Sequence, residues 1–412
     1  MIFRRSARFV TSRFLPEPGY GRQLTLVTAI HGQGLWAAIS AIYATTVVGL
    51  SAGQFGAAVA IAAAASLISS APTGELADRV GPRKVLVCSL IALGPITALL
   101  LAANSFAWYA VVLAAQAIVF GASRGARMAM IAALVPAQER VRLRAYLRSA
   151  TNVSIAVGAM IGGFVLSLNN TTCYRVAVVA VAVTYLTSGL MTLRLPSVPA
   201  QPARRGPRLV VLRDAPYLTL VVLDGILSMH NLLLDVVLPL WVIERTSAPR
   251  WIVAAVLLVN TIAVVLLQVR ASHGTDEVAG AARAVRIGGL FVALGCLAFA
   301  FSNGSDVVMA CLLLVLGAGL HVYGEVRQSS GSWGISFGLA PDHAQGQYQG
   351  TYAMAADIGK VLGPGLLVWL AISFGRGGWI VMAIAFLIVG ALFPPIASWA
   401  ERESRAKQTI AA

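Results

Sequence analysis

Charge is scarce in this chain: Asp, Glu, Lys and Arg together make up 11% of its 412 residues. Soluble domains carry about a quarter of their residues charged, so that class is excluded at this length. Lysine is nearly absent and arginine carries the basic charge, a usage that points to a GC-rich bacterial source. Cysteine is confined to Cys88, Cys173, Cys296 and Cys311, with no disulfide or metal-ligand spacing, which reads as core filling. No second Cys or His stands at ligand distance from His31, His230 or His321, so neither a metal centre nor another cofactor is expected. The chain also lacks a nucleophile placed beside a base, which argues against an enzyme, and it lacks an appended signalling domain, which argues against a membrane sensor.

What the chain does have is apolar length. It is 58% hydrophobic, with a mean hydropathy of +0.80. A helix of roughly 20 apolar residues crosses the ~30 Å hydrocarbon core. Such stretches fall near 23–50, 54–73, 85–103, 106–134, 147–168, 175–194, 216–243, 251–270, 286–303, 306–338, 349–373 and 378–399. The expected fold class is therefore an all-α membrane protein of about twelve spans. The net charge of +15 is topological and no footprint of a nucleic acid. Arginines crowd before the first span and after the second, fourth, sixth, eighth and twelfth, whereas the opposite loops hold Arg175, Arg245, Arg250 and Arg376. The positive-inside rule then puts both termini in the cytoplasm. The Arg-rich start precedes an apolar run too long for a signal peptide, so residues 1–22 read as a retained cytoplasmic arm on the lipid surface.

Between the second and third spans lies Gly74-Glu75-Leu76-Ala77-Asp78-Arg79-Val80-Gly81-Pro82-Arg83-Lys84, read here as a very short charged loop. It resembles the loop signature G-x-L-A-D-R-x-G-R-K of the major facilitator superfamily, matching at Gly74, Leu76, Ala77, Asp78, Arg79, Gly81 and the basic pair, with Pro82 as an insertion. The resemblance implies two six-helix bundles that rock about a substrate held between them. It also implies that Asp78, Arg79 and Arg83 form a charge network stabilising the outward-facing state, a conformational gate expected to include Gly74, Gly81, Gly158 and Gly162. The superfamily's antiporters carry G-P-x-x-G-G in the fifth span. Here Gly158, Gly162 and Gly163 match, Ala159 replaces the proline, and Pro364 carries it in the second half. The fourth-span motif R-x-x-Q-G is not in register at Gln116, and the first span has no acid. The surroundings of Gly324-Glu325 and Leu339-Ala340-Pro341 look like prokaryotic exporters of this superfamily.

An internal repeat supports two halves. Pro136 and Pro341 are 205 positions apart, and so are Gly158 and Gly363. Parallel repeats of this kind are expected to enclose the substrate near the midplane. Leu195 to Ala215, with Pro196, Pro199, Pro202 and Pro207 among arginines, suits a solvated linker. The expected organisation is an arm at 1–22, a six-helix bundle at 23–194, the linker at 195–215, a second bundle at 216–399 and a cytoplasmic tail at 400–412.

Ionised groups inside spans cost roughly 2.5–3.5 kcal/mol each on insertion scales, so each marks a partner, a wet cavity or a function. The seventh span carries Asp224, Ser228, Asn231 and Asp235 at intervals of four, three and four, one face of a regular helix. This stripe either lines a water-filled path or packs the bundle through hydrogen bonds. The tenth span repeats the intervals with His321, Glu325, Gln328 and Ser332, and Arg327 points elsewhere. Asp357 and Lys360 in the eleventh span pair within one helix or serve coupling. The first half offers His31, Gln33, Gln116, Arg124, Arg127 and Asn152 but no acid in its spans. Its arginines either pair with Glu325 or Asp224, or hold an anionic substrate group, or snorkel. The three intramembrane histidines read as packing residues before proton relays.

The reading that unites these features is a secondary transporter, expected to be monomeric in a bacterial inner membrane, that exports a small, partly hydrophobic compound in exchange for protons. The proton carriers in order of expectation are Asp224, Glu325 and Asp235, with Asp357 behind them. The cavity residues are His31, Gln33, Gln116, Arg124, Arg127, Ser228, Asn231, His321 and Gln328. The alternative is an importer or uniporter of an anionic metabolite, with Arg124 and Arg127 as its binding cations.

Overall fold

The computed structural model describes residues 16, 19–31, 33–199 and 209–411, except the side chains of 52, 355, 356, 360 and 406–411. Most of the expected arm, the linker arginines Arg204, Arg205 and Arg208, and the Lys360 side chain lie outside the described residues. The described residues are helical throughout, with no strand. They form twelve helices long and apolar enough to cross a membrane: Tyr20–Val47, Gly53–Val80, Pro82–Ala102, Phe106–Leu134, Ala137–Ser167, Thr171–Thr192, Ala215–Arg245, Trp251–Ala271, Val278–Phe301, Val307–Gly338, Asp342–Phe374 and Arg376–Arg405. They are called the first to twelfth spans below.

The chain divides into two compact units. One holds Met1–Val210 together with Pro341–Ala353, and the other Val211–Ala340 with Met354–Ala412. The start of the eleventh span thus belongs to the first unit and the rest of it to the second. Local sequence sets the helix ends. Ser51 and Gln54 form a reciprocal capping box before the second span, and the Ser105, Asn170, Asp214 and Asp306 side chains each accept a first-turn N–H.

Small residues let helix backbones touch, the packing device available where apolar burial gives no net drive. In the first unit a Cβ on Gly34 would overlap the Ile155 backbone, and one on Gly158 would overlap Leu35. In the second unit a Cβ on Gly363 would overlap Leu232, and one on Gly359 would press on Gly225. The fifth and eleventh spans therefore lie glycine-first against the first and seventh, which gives the 205-residue repeat a packing role.

Each unit's leading span is interrupted. The first runs as helix Tyr20–Ile30, breaks at His31, resumes over Gln33–Ile42 and ends in a π turn at Tyr43–Val47. The seventh runs as helix Ala215–Ser228, turns at Met229 and His230, passes through a π turn at Leu233–Val237 and ends as Leu238–Arg245. Pro239 explains the second π turn, because it has no N–H to give the Asp235 carbonyl. At both breaks a side chain binds a histidine carbonyl: Ser154 Oγ donates to His31 O at 2.9 Å, and His321 Nε2 donates at 2.9 Å to His230 O, which also accepts the Leu233 N–H at 3.0 Å.

Candidate functional site

The tenth span is one unbroken helix, Val307–Gly338, so its intervals of four, three and four hold, and His321, Glu325, Gln328 and Ser332 are all buried. They join the seventh and eighth spans in a continuous polar chain. Asp224 Oδ1 accepts from Gln328 Nε2 at 2.8 Å and from Ser332 Oγ in a very short bond. Gln328 Nε2 also lies 2.9 Å from Ser332 Oγ, so the amide nitrogen faces the carboxylate and Oε1 faces His230 Nε2 at 3.4 Å. That orientation assigns the proton of neutral His230 to Nε2 and leaves Nδ1 bare, 3.3 Å from His321 Nε2. His321 Nε2 is in turn an N–H, shared with the His230 carbonyl, and its Nδ1 looks towards Glu325 Oε2 at 3.9 Å. Asn260 Nδ2 closes the chain on Glu325 Oε2 at 3.1 Å. The two carboxyls sit at opposite ends of one buried network, with Asp224 5% and Glu325 7% exposed. Buried polar groups persist mostly when paired, and here hydrogen bonds run from Asp224 to His321, while the last step, from His321 Nδ1 to Glu325, is an electrostatic contact at 3.9 Å and not a hydrogen bond.

The seventh-span stripe is corrected by the structure. The break at Met229 and His230 changes the helical phase, so Asp224 is buried, Ser228 is half-buried, and Asn231 and Asp235 are exposed. Asn231 Nδ2 turns back to the Ser228 carbonyl at 2.8 Å. Asp235 stays within electrostatic reach of Glu325 and His321. The residue that joins Asp224's network from this span is His230, off the expected stripe. His230 and His321 are therefore not isolated packing residues: their rings meet edge to face with centroids 5.1 Å apart. Asn260 and Gln268 were also missed. Gln268 Nε2 donates to Ser330 Oγ at 3.1 Å, and a polar residue in the eighth span's apolar run was the signal for each. Arg327 finds the Ala271 carbonyl at 3.0 Å. Asp357 is half-buried in the eleventh span.

In the first unit, Arg127 Nη1 donates to Thr28 Oγ1 at 3.0 Å. Arg124 lies against the Phe120 ring, 6.0 Å from its centroid. Gln116 Nε2 binds Thr97 Oγ1 at 2.7 Å, which ties the fourth span to the third. Gln33 is half-buried. His31 is 3% exposed and faces Tyr185 at 5.9 Å between centroids.

The charged segment Gly74 to Lys84 is not a loop. Helix continues through Val80 and restarts at Pro82, leaving Gly81 alone between them at φ 103°. Only glycine takes that conformation readily, and Pro82 opens the next helix at a position where its missing N–H costs nothing. Nor do its charges form one network. Arg79, exposed, pairs with the half-buried Glu75 at 2.7 Å, and Arg83 donates to the Leu193 carbonyl. Asp78 is buried and accepts from two backbone groups, Gly346 N–H at 2.7 Å and Gln347 N–H at 3.0 Å. These lie in the first turn of the helix beginning at Gln345, where N–H groups have no intrahelical acceptor and the helix dipole favours a negative charge. Gly74 and Gly346 meet backbone to backbone beside this contact. A cavity of about 270 Å³ adjoins it, lined in part by Asp78, Pro82, Pro199 and Asp342.

Twelve apolar spans in two units, one of them threaded by a buried polar chain, define a multi-pass membrane transporter. The chain belongs to the Major Facilitator Superfamily, whose family model matches residues 24–364. No curated protein sequence is significantly similar to it. Among solved structures it is similar to the human organic anion transporter MFSD10, at 15% identity over 90% of this chain and 97% of that one, with a TM-score of 0.66. It is also similar to a bacterial homologue of the iron transporter ferroportin in an outward-facing state, at 12% identity over 93% and 99%, with a TM-score of 0.72. A third is the E. coli fucose:proton symporter, at 13% identity over 92% and 97%, with a TM-score of 0.67. These likenesses establish the fold. The protein is a transporter and not an enzyme.

Proposed function

We propose that this transporter exports a small, partly hydrophobic compound in exchange for protons by alternating access, as a monomer in a bacterial inner membrane with both termini cytoplasmic. The observation that carries the proton part is the buried chain from Asp224 through Gln328, His230 and His321 to Glu325. A buried carboxyl that gains or loses a proton must rearrange the bonds around it, because an unpaired buried charge costs several kcal/mol. Protonation at either end is therefore felt by the imidazole pair between them. Asp235, exposed and electrostatically coupled to Glu325 and His321, is the entry point for protons from water. The Asp78 contact with Gly346 and Gln347 is the conformational gate, since it holds residues 341–353 of the eleventh span within the first unit. Proton-coupled relatives such as the fucose:proton symporter share the fold, and the arginine distribution supports the orientation.

A thermal-shift screen of lipophilic cations, anions and sugars identifies a transported compound, because binding stabilises the folded state by mass action. In proteoliposomes, Asp224→Asn and Glu325→Gln are then expected to abolish uptake driven by a pH gradient while leaving solute exchange at equal pH. Undiminished gradient-driven flux in both variants would remove these residues from coupling.

A further inference from the structure

His31 carries two ring nitrogens that are enclosed in protein and have no hydrogen-bond partner. Arg127 is within electrostatic reach of that ring, and its Nε is likewise enclosed with no acceptor. One arm of its guanidinium is held, since Nη1 donates to Thr28 Oγ1 at 3.0 Å while the Thr28 hydroxyl donates to the Leu24 carbonyl at 2.8 Å. Thr28 lies in the last turn of the helix that ends at Ile30, and His31 is the capping residue that follows it. A second cation, Arg124, lies within electrostatic reach of Arg127. As a residue, Arg127 is half-buried.

An orphaned buried donor or acceptor costs about 1–3 kcal/mol, and neighbouring cations in a low dielectric repel. Water would satisfy the imidazole but would leave the Arg127 guanidinium without a counter-charge. A single anion relieves both, because a guanidinium offers a planar fork matched to a carboxylate and a neutral imidazole offers one N–H. We propose that Thr28, His31 and Arg127 form an anion subsite for the carboxylate of the exported compound, so that the substrate is a compact organic acid with an apolar body. This rests on the export reading above and adds the substrate class to it. Arg127 supplies the charge, His31 a hydrogen bond, and Thr28 the positioning contact.

The test measures binding to the purified full-length protein by thermal shift and isothermal calorimetry. The probes are benzoate and octanoate, with benzamide, inorganic phosphate and chloride as comparisons. The expected result is saturable stabilisation by a carboxylate and none by benzamide. Affinity falls at least tenfold in Arg127→Gln and severalfold in Thr28→Val, which keeps the charge but frees the guanidinium. Size-exclusion profiles establish that both variants are folded. Equal stabilisation by chloride or phosphate would make this a structural inorganic-anion site and overturn the proposal. So would carboxylate affinity unchanged in Arg127→Gln, or no stabilisation by either carboxylate. Glu325→Gln separates the two readings: it retains carboxylate binding if the subsite is right, and it loses gradient-driven flux if the coupling assignment is right.

Discussion

Replacing Asp78 with Asn isolates the contact at the head of the eleventh span. The carboxylate accepts two backbone N–H groups at 2.7 and 3.0 Å, and both belong to a first helical turn that offers them no other acceptor. Hydrogen bonds to a charged acceptor are worth about 1.5–3 kcal/mol each, and the charge at a helix N-terminus adds up to ~2 kcal/mol when partly buried. Asn keeps one carbonyl oxygen, so the variant loses one bond and the charge, and its NH2 meets an N–H head on. The net loss is about 2–2.8 kcal/mol, or roughly 30- to 100-fold in local opening at 1.4 kcal/mol per decade. Hydrogen–deuterium exchange in nanodiscs should therefore show the amides of Gly346 and Gln347 exchanging 30- to 100-fold faster in Asp78→Asn. Arg79→Gln is the matched control, because the Arg79–Glu75 pair is exposed at the arginine and such pairs contribute about 0–1 kcal/mol. Exchange at residues 346 and 347 that is the same in wild type and Asp78→Asn would refute the argument.

Two packing predictions accompany it. Gly158→Ala should lower the melting temperature or prevent folding, because its Cβ meets the Leu35 backbone, while Gly163→Ala, whose Cβ meets nothing within 4 Å, should leave melting unchanged. Gly81→Ala should cost about 1–3 kcal/mol through its φ of 103°, read as a lower midpoint in thermal melting with Pro82→Ala as the milder comparison.

The fold class was legible because lipid imposes a coarse rule that survives without relatives, apolar length. The site was legible where helices stay regular. Four residues of the tenth span could be placed on one face from their intervals, and they lie there. The seventh span defeated the same argument because its periodicity is cut at Met229 and His230, and no proline precedes the cut to announce it. Pro239 marks only the later π turn. His230 reads as a packing residue from its apolar surroundings, and the ring it meets is 91 positions away. The Gly74 to Lys84 segment was read as a loop because its charges suggested one, whereas a single glycine suffices to turn the chain.

Each leading span behaves as a jointed strut whose elbow is a histidine. The histidine carbonyl at the elbow is clasped by a neighbouring helix, by Ser154 in one unit and by His321 in the other. Flexing the seventh span at that joint must loosen or tighten His321, the same ring that looks towards Glu325. Under the proton-coupling role proposed for Glu325, bending the strut and loading the acid become one mechanical event, with the proton as a lever on the shape of the helix beside it.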